Sequence, residues 1–162
     1  DRQALRQALR DGRLDIIATD HAPHLLSEKQ LPFAQAPAGL PLVQHALLSA
    51  LDLYHQGELT LAQVVQKISH APAQRFAIKD RGFLREGYFA DLVLVDLTKP
   101  SKVEQKDLWY RCGWSPQLGE MLQSTLVSIT VAQQLRQALR TVGVGIILDK
   151  SARARQPKAP YR

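Results

Sequence analysis

The chain has 162 residues, 45% hydrophobic and 22% charged, with a formal net charge of +6. This is the balance of a globular protein, and no apolar run approaches the roughly 18 residues of a membrane span, so no membrane partner is expected. A single cysteine, Cys112, excludes an internal disulfide and fits the reducing cytoplasm.

The positive charge is unevenly spread. Residues 1–116 carry a net of +1 and residues 117–162 a net of +5. Arg153, Arg155, Lys158 and Arg162 stand among Ala, Gln and Pro, so residues 151–162 read as a basic, disordered tail. No aromatic platform or binding motif accompanies these charges, and nucleic acid is not an expected partner.

In chain order, Leu5, Ala8 and Leu9 share one face of a helix over residues 1–10. The chain thus begins inside an element, and a C-terminal portion of a longer protein is expected. Residues 14–18 form an apolar run between Asp11-Gly12 and Pro23, the pattern of a buried strand. Asp20 follows that run, where α/β barrels carry catalytic groups, with His21 and His24 on the loop beyond. A carboxylate there can hold a metal or move a proton. Taken alone, the segment also fits an ordinary strand-to-loop exit, with Asp20 capping a turn and both histidines solvated.

The loop to Gly39 is long and holds Pro23, Pro32 and Pro37, and long loops in compact domains are often functional. Leu40, Val43, Leu47, Leu51 and Tyr54 then recur at helical spacing, with Pro41 in the first turn and Gly57 as a stop. His45 and His55 read as helix-surface or packing residues. Thr60 is a candidate N-cap for a second helix facing Leu61, Val64, Val65 and Ile68 inward. Pro72 breaks or restarts it before a short helix through Phe76, and His70 beside that break satisfies a local hydrogen bond. From Gly82 the period changes: residues 90–97 read as a strand, and 126–131 and 143–148 as two more. Cys112 lacks a Cys–His signature and reads as a buried or neutral thiol. No internal repeat or glycine-rich phosphate loop is present.

Three runs, Thr19-Asp20-His21-Ala22-Pro23-His24, Glu28-Lys29-Gln30 and Ala36-Pro37-Ala38-Gly39-Leu40-Pro41-Leu42, resemble the last barrel strand and following loop of dihydroorotases. These belong to the amidohydrolase superfamily of metal-dependent TIM barrels. Gly82-Phe83-Leu84-Arg85-Glu86-Gly87-Tyr88-Phe89-Ala90-Asp91 and the strand after it look like that superfamily's return into a small β-domain. Cys112-Gly113-Trp114-Ser115-Pro116 is similar to a segment near the end of the longer bacterial dihydroorotases. The resemblance covers residues 1–116. Beyond it, Gln117-Leu118-Gly119 replaces the usual Phe-Glu-Gly, and Ala132-Gln133 replaces an Asn-Gly hairpin turn.

The resemblance implies an α/β fold: the C-terminal part of a metal-dependent TIM barrel, its last strand and flanking helices over residues 1–80. Part of a small β-sandwich domain over 81–150 would follow, then the tail at 151–162. A complete barrel takes about 250 residues, more than the chain holds. The implied activity is the reversible cyclisation of N-carbamoyl-L-aspartate to L-dihydroorotate, with zinc, two ions in the whole enzyme, held mostly by upstream ligands. Asp20 would be this chain's one metal ligand and its proton carrier. His24 and the backbone of Ala38 and Gly39 would contact substrate, and His21 would be structural rather than a ligand. One carboxylate does not make a zinc site of about three or four protein ligands, so the isolated chain is expected to be inactive. The implied partners are the small-molecule substrate, a second copy in a homodimer, and aspartate transcarbamoylase. Three other readings stay open: a dihydropyrimidinase or allantoinase, against which His24 argues; a non-catalytic dihydroorotase-like subunit supporting aspartate transcarbamoylase; and a truncated, non-functional gene product.

Overall fold

The computed structural model describes residues 1–132, so the strand expected at 143–148, the tail at 151–162 and Gln133 lie outside the described residues. Helix α1 spans Arg2–Arg10. None of its side chains is fully buried, and Leu9 packs against the core. Arg6 and Arg10 both reach Glu58, and Gln63 Nε2 donates to Arg10 O at 3.3 Å.

The apolar run at residues 14–18 carries no regular element and joins no ladder among the described residues, which corrects the expected strand. A strand exists through its pairing, and no described strand lies beside this one. Its main chain is instead held by Lys67, whose Nζ donates to Leu14 O at 2.5 Å and whose carbonyl accepts from Ile17 N–H at 3.1 Å. The loop that follows carries a single turn, α2 (Leu26–Lys29).

A 3-10 turn at Val43–His45 leads into α3, Ala46–His55. The expected stop is met: Gly57 takes φ +71° just beyond. Thr60 caps α4 (Leu61–Val65) as expected, its Oγ1 accepting from Gln63 N–H at 3.2 Å. The helical path continues through a π turn, Gln66–His70, into α5, Ala71–Arg75. Pro72 falls where the α-helix restarts, in a first turn that needs no N–H from it. His70 makes its local bond, Nδ1 to Gln66 Oε1 at 3.2 Å, and stacks on Phe83.

Strand β1 (Ala90–Asp96) and β4 (Thr125–Ala132) form one antiparallel pair, Ala90 opposite Ala132 and Asp96 opposite Thr125, with an irregularity at Leu94/Val95. Between them β2 (Ser101–Lys102) pairs antiparallel with β3 (Met121–Leu122). One core joins the helices to these strands: Leu48, Ala50 and Leu51 of α3 with Leu59 and Val64 meet Val95, Leu97, Val103 and Leu122. His45 is buried beside it and makes a packing contact with Tyr110, while His55 Nε2 lies 2.8 Å from the hydroxyl of the fully buried Ser124.

Candidate active site

Residues 20–40 form a loop whose two ends are tied together. His21 and Leu40 make a parallel bridge, and Ala22 N–H donates to Leu40 O at 3.0 Å. His21 Nδ1 accepts from the N–H groups of Leu42 and Val43 at 3.1 and 3.3 Å. That lone pair is therefore spent on backbone, so His21 closes the neck of the loop and has no Nδ1 to offer a metal.

Asp20 stands just before this neck with φ +47°, in the left-handed region. Non-glycine residues enter it at a cost of roughly 1–2 kcal/mol, Asp and Asn most readily, and such strain gathers at functional positions. Its carboxylate is exposed and takes no hydrogen bond or ion pair from the described residues. The capped-turn alternative needed such a bond, whereas His21, although exposed as the second alternative has it, spends its Nδ1 on the backbone.

Gly39 lies on the other side of the neck with φ +98°. A Cβ there would come within 2.4 Å of Ala22 Cβ, so only glycine allows the two strands of the loop this approach. Lys29 Nζ fixes the returning backbone, donating to Pro37 O at 2.5 Å and Gly39 O at 3.1 Å. Ala38 is exposed beside it. His24 is half-buried: its main chain donates to Ala22 O and accepts from Trp114 Nε1, while its Nδ1 sits 4.0 Å from Glu28 Oε2. Glu28 also accepts from Leu25 N–H at 2.7 Å, which braces the short helix α2. Asp20, His24, Ala38 and Gly39 are thus gathered around one neck.

Among the described residues no three His, Cys, Asp or Glu side chains converge as a metal site. Asp20 offers one oxygen ligand set, and three or four protein ligands are what zinc requires. These residues therefore do not complete a zinc site.

Three contributors escaped the sequence reading. Lys67 looks like a surface lysine of an amphipathic helix, and the π turn rotates it inward to 5% exposure. Lys29 lies within a quoted motif, but its carbonyl partners become visible only when the loop folds back. Trp114 belongs to a quoted motif whose link to His24 spans 90 residues.

A cleft of about 350 Å³ opens beside the neck, lined by His21, Val43, Gln44, Tyr110, Arg111 and Cys112 among others. Cys112 is half-buried there, with Sγ 3.7 Å from Trp114 O. Burial holds the Tyr110 hydroxyl above its ordinary pKa, and it accepts from Gln44 N–H.

Comparison with known proteins extends this geometry. A family model described as the amidohydrolase family matches residues 1–139. A protein named dihydroorotase from Halobacterium salinarum is 41% identical over 115 residues, 71% of this chain and 27% of its own length. A dihydroorotase from Pelobacter propionicus is 38% identical over 132 residues, 82% of this chain and 31% of its own. The chain thus spans under a third of these relatives. Among solved structures, a D-hydantoinase (dihydropyrimidinase) from Thermus sp. superposes with TM-score 0.74 at 24% identity, covering 83% of this chain and 30% of that one. Family match and superposition together imply the metal-dependent TIM-barrel architecture, of which the described residues supply mixed helix and strand. The chain belongs to the amidohydrolase family.

Proposed function

We propose that the chain is the C-terminal part of a dihydroorotase, which interconverts N-carbamoyl-L-aspartate and L-dihydroorotate. The observation that carries this is the neck: a carboxylate without a partner among the described residues and in strained backbone, a histidine and a close-packed glycine drawn together by the motif resembling dihydroorotases. The name of the curated relatives supports it.

The chemical task is to break or form an unactivated ring amide. Asp20 takes the proton from the water that attacks the carbonyl and returns it to the leaving ring nitrogen, so one carboxylate serves as base and then as acid. The His24 ring, whose main chain is fixed while its edge remains free, contacts the substrate. Backbone at Ala38 and Gly39 approaches the ring and its carboxylate because nothing beyond a hydrogen stands on the Gly39 Cα. Zinc, two ions in the whole enzyme with Asp20 as one ligand, would polarise the carbonyl and lower the pKa of water. The remaining ligands belong to parts of the enzyme outside this chain. The reading further includes a cytoplasmic enzyme acting as a homodimer, with aspartate transcarbamoylase as a candidate partner. No helix among the described residues is long and apolar enough to cross a membrane.

A second reading is a related cyclic amidohydrolase such as a dihydropyrimidinase or allantoinase, with whose fold the superposition on a hydantoinase agrees and against which His24 argues. Turnover of dihydroorotate, dihydrouracil and allantoin by the enzyme containing this chain separates the two. Preference for dihydroorotate is the expected result. Turnover of dihydrouracil or allantoin alone would replace the first reading by the second.

A further inference from the structure

The Cys112-to-Pro116 motif was singled out in the sequence but has no part in the chemistry above. We infer that its Trp114 is a positioning residue: it fixes the main chain of His24 and so sets where the substrate-contacting ring stands. This rests on the proposed role of His24.

The contact is one hydrogen bond, Trp114 Nε1 donating to His24 O at 2.8 Å. What makes it a positioning device is how firmly its donor is held. Gly113, at φ +72°, donates to Tyr110 O at 3.0 Å and accepts from Gln105 Nε2 at 2.7 Å. Gln44 clamps the same segment at both ends of its amide: Nε2 donates to Asp107 O at 2.7 Å, and Oε1 accepts from Trp109 N–H at 2.8 Å. Its N–H also reaches the Tyr110 hydroxyl at 2.9 Å. Beyond the tryptophan, Ser115 is buried, and Gln117 Nε2 donates to Ser49 Oγ at 2.6 Å. Residues 105–117 are thereby fastened to the start of α3, and the indole projects from that platform to the loop.

His24 is held from the other side by its own N–H, which donates to Ala22 O at 3.0 Å. Its backbone is bonded on both faces, while among the described residues the polar partner given to its ring is Glu28, at the 4.0 Å limit of an ion pair. A fixed main chain under a free side chain is the arrangement that a preorganised binding residue needs. The apolar side chains on this flank, Leu25, Leu26, Leu31 and Phe33, are exposed and add no buried packing to these bonds.

The test removes the N–H and keeps the ring. In the enzyme containing this chain, Trp114→Phe should speed amide exchange across residues 22–30 by about fivefold, the equivalent of one lost hydrogen bond. It should raise KM for dihydroorotate by a similar factor while kcat stays within about twofold. In a His24→Ala background the same substitution should change neither constant further. Should the smaller ring disturb folding, a benzothienylalanine at position 114 replaces the indole N–H by sulfur at nearly constant volume. Unchanged exchange in the loop would overturn the positioning role. Faster exchange with unchanged KM, or a KM effect that persists without His24, would overturn its transmission through the histidine. A wild-type enzyme that ignores dihydroorotate would sink the proposed function instead, and the exchange measurement would still decide the role of Trp114.

Discussion

Substituting Gly39 by alanine tests the loop neck most directly. The new Cβ would lie 2.4 Å from Ala22 Cβ. Carbon atoms rest about 3.5–4.0 Å apart, so the two chain segments must separate by about 1 Å or more. The residue must also keep φ +98°, which burdens any side chain by roughly 1–2 kcal/mol. Overpacking adds roughly 1–3 kcal/mol, for a total of about 2–5 kcal/mol. Opposing this are the Ala22–Leu40 hydrogen bond and the two bonds to His21 Nδ1, worth about 1 kcal/mol each. The two sums are comparable, so the cheaper response is for the neck to open, not for the core to deform. We therefore expect Gly39→Ala to lower kcat/KM for dihydroorotate by about 30-fold or more, from some 2 kcal/mol of lost preorganisation, with little change in melting temperature. Gly57→Ala is the control: it too has positive φ, +71°, but its Cβ would meet nothing within 4 Å, and it lies at the far end of α3. It should lower the melting temperature and spare turnover. Steady-state kinetics beside calorimetry read both. A Gly39→Ala enzyme with kcat/KM within threefold of wild type would refute the reasoning.

Three other outcomes follow from the geometry. Asp20→Asn should cut kcat by about 10²–10⁴ while the melting curve stays put, because asparagine tolerates the left-handed backbone as well as aspartate does; appreciable residual turnover would remove Asp20 from the proton-transfer role. Lys67→Met keeps the volume but deletes the bond to Leu14 O, and should slow turnover about fivefold through looser support of the chain leading to Asp20, an effect absent if that support is immaterial. Burial lowers the pKa of His45 from 6.5, and burial with the nearby Arg85 lowers that of His70. Above pH 6.5 neither folded nor unfolded chain gains a proton at these sites; as pH falls through 6.5 the unfolded chain binds protons that the folded chain refuses, so stability declines toward the folded pKa values. His45→Gln should flatten the fall in melting temperature between pH 6.5 and 5 relative to wild type, and an identical slope would show that His45 contributes nothing to it.

What could be read in advance was what depends on near neighbours. Thr60 and Gln63 are three residues apart, and their reciprocal cap follows from that spacing alone. The apolar period of α3 from Leu47 onward and the glycine after it are equally local, but the expected start at Pro41 fails: Leu40 bridges to His21 and a 3-10 turn at Val43–His45 precedes the helix. Residues 14–18 misled because an apolar run shows that a segment is buried or extended, but not what it pairs with. Lys67 was hidden for a related reason: the helical period assumes 3.6 residues per turn, and a π turn breaks that assumption in the middle of the pattern. At the candidate site, the motif singles out Asp20, His24, Ala38 and Gly39, but the drawing together of Ala22 and Gly39 was not visible. Trp114 and Lys29 act through backbone carbonyl groups and Gln44 through main-chain groups and a hydroxyl, and a backbone group has no sequence signature.

The attachment of α1 has a consequence for ionic strength. Most of the fold is held by apolar contact, which salt leaves intact or strengthens. Helix α1 is held by Leu9 and by two guanidinium groups converging on a partly exposed Glu58. These side chains are partly buried and in direct contact, so the fall of the screening length to about 10 Å near 0.1 M salt weakens their attraction only partly, and its further fall at 1 M weakens it more. Rising salt should therefore loosen the two guanidinium contacts to Glu58 while Leu9 and the Gln63–Arg10 bond keep residues 2–10 in place, so that the attachments of one helix answer in opposite directions to the same variable.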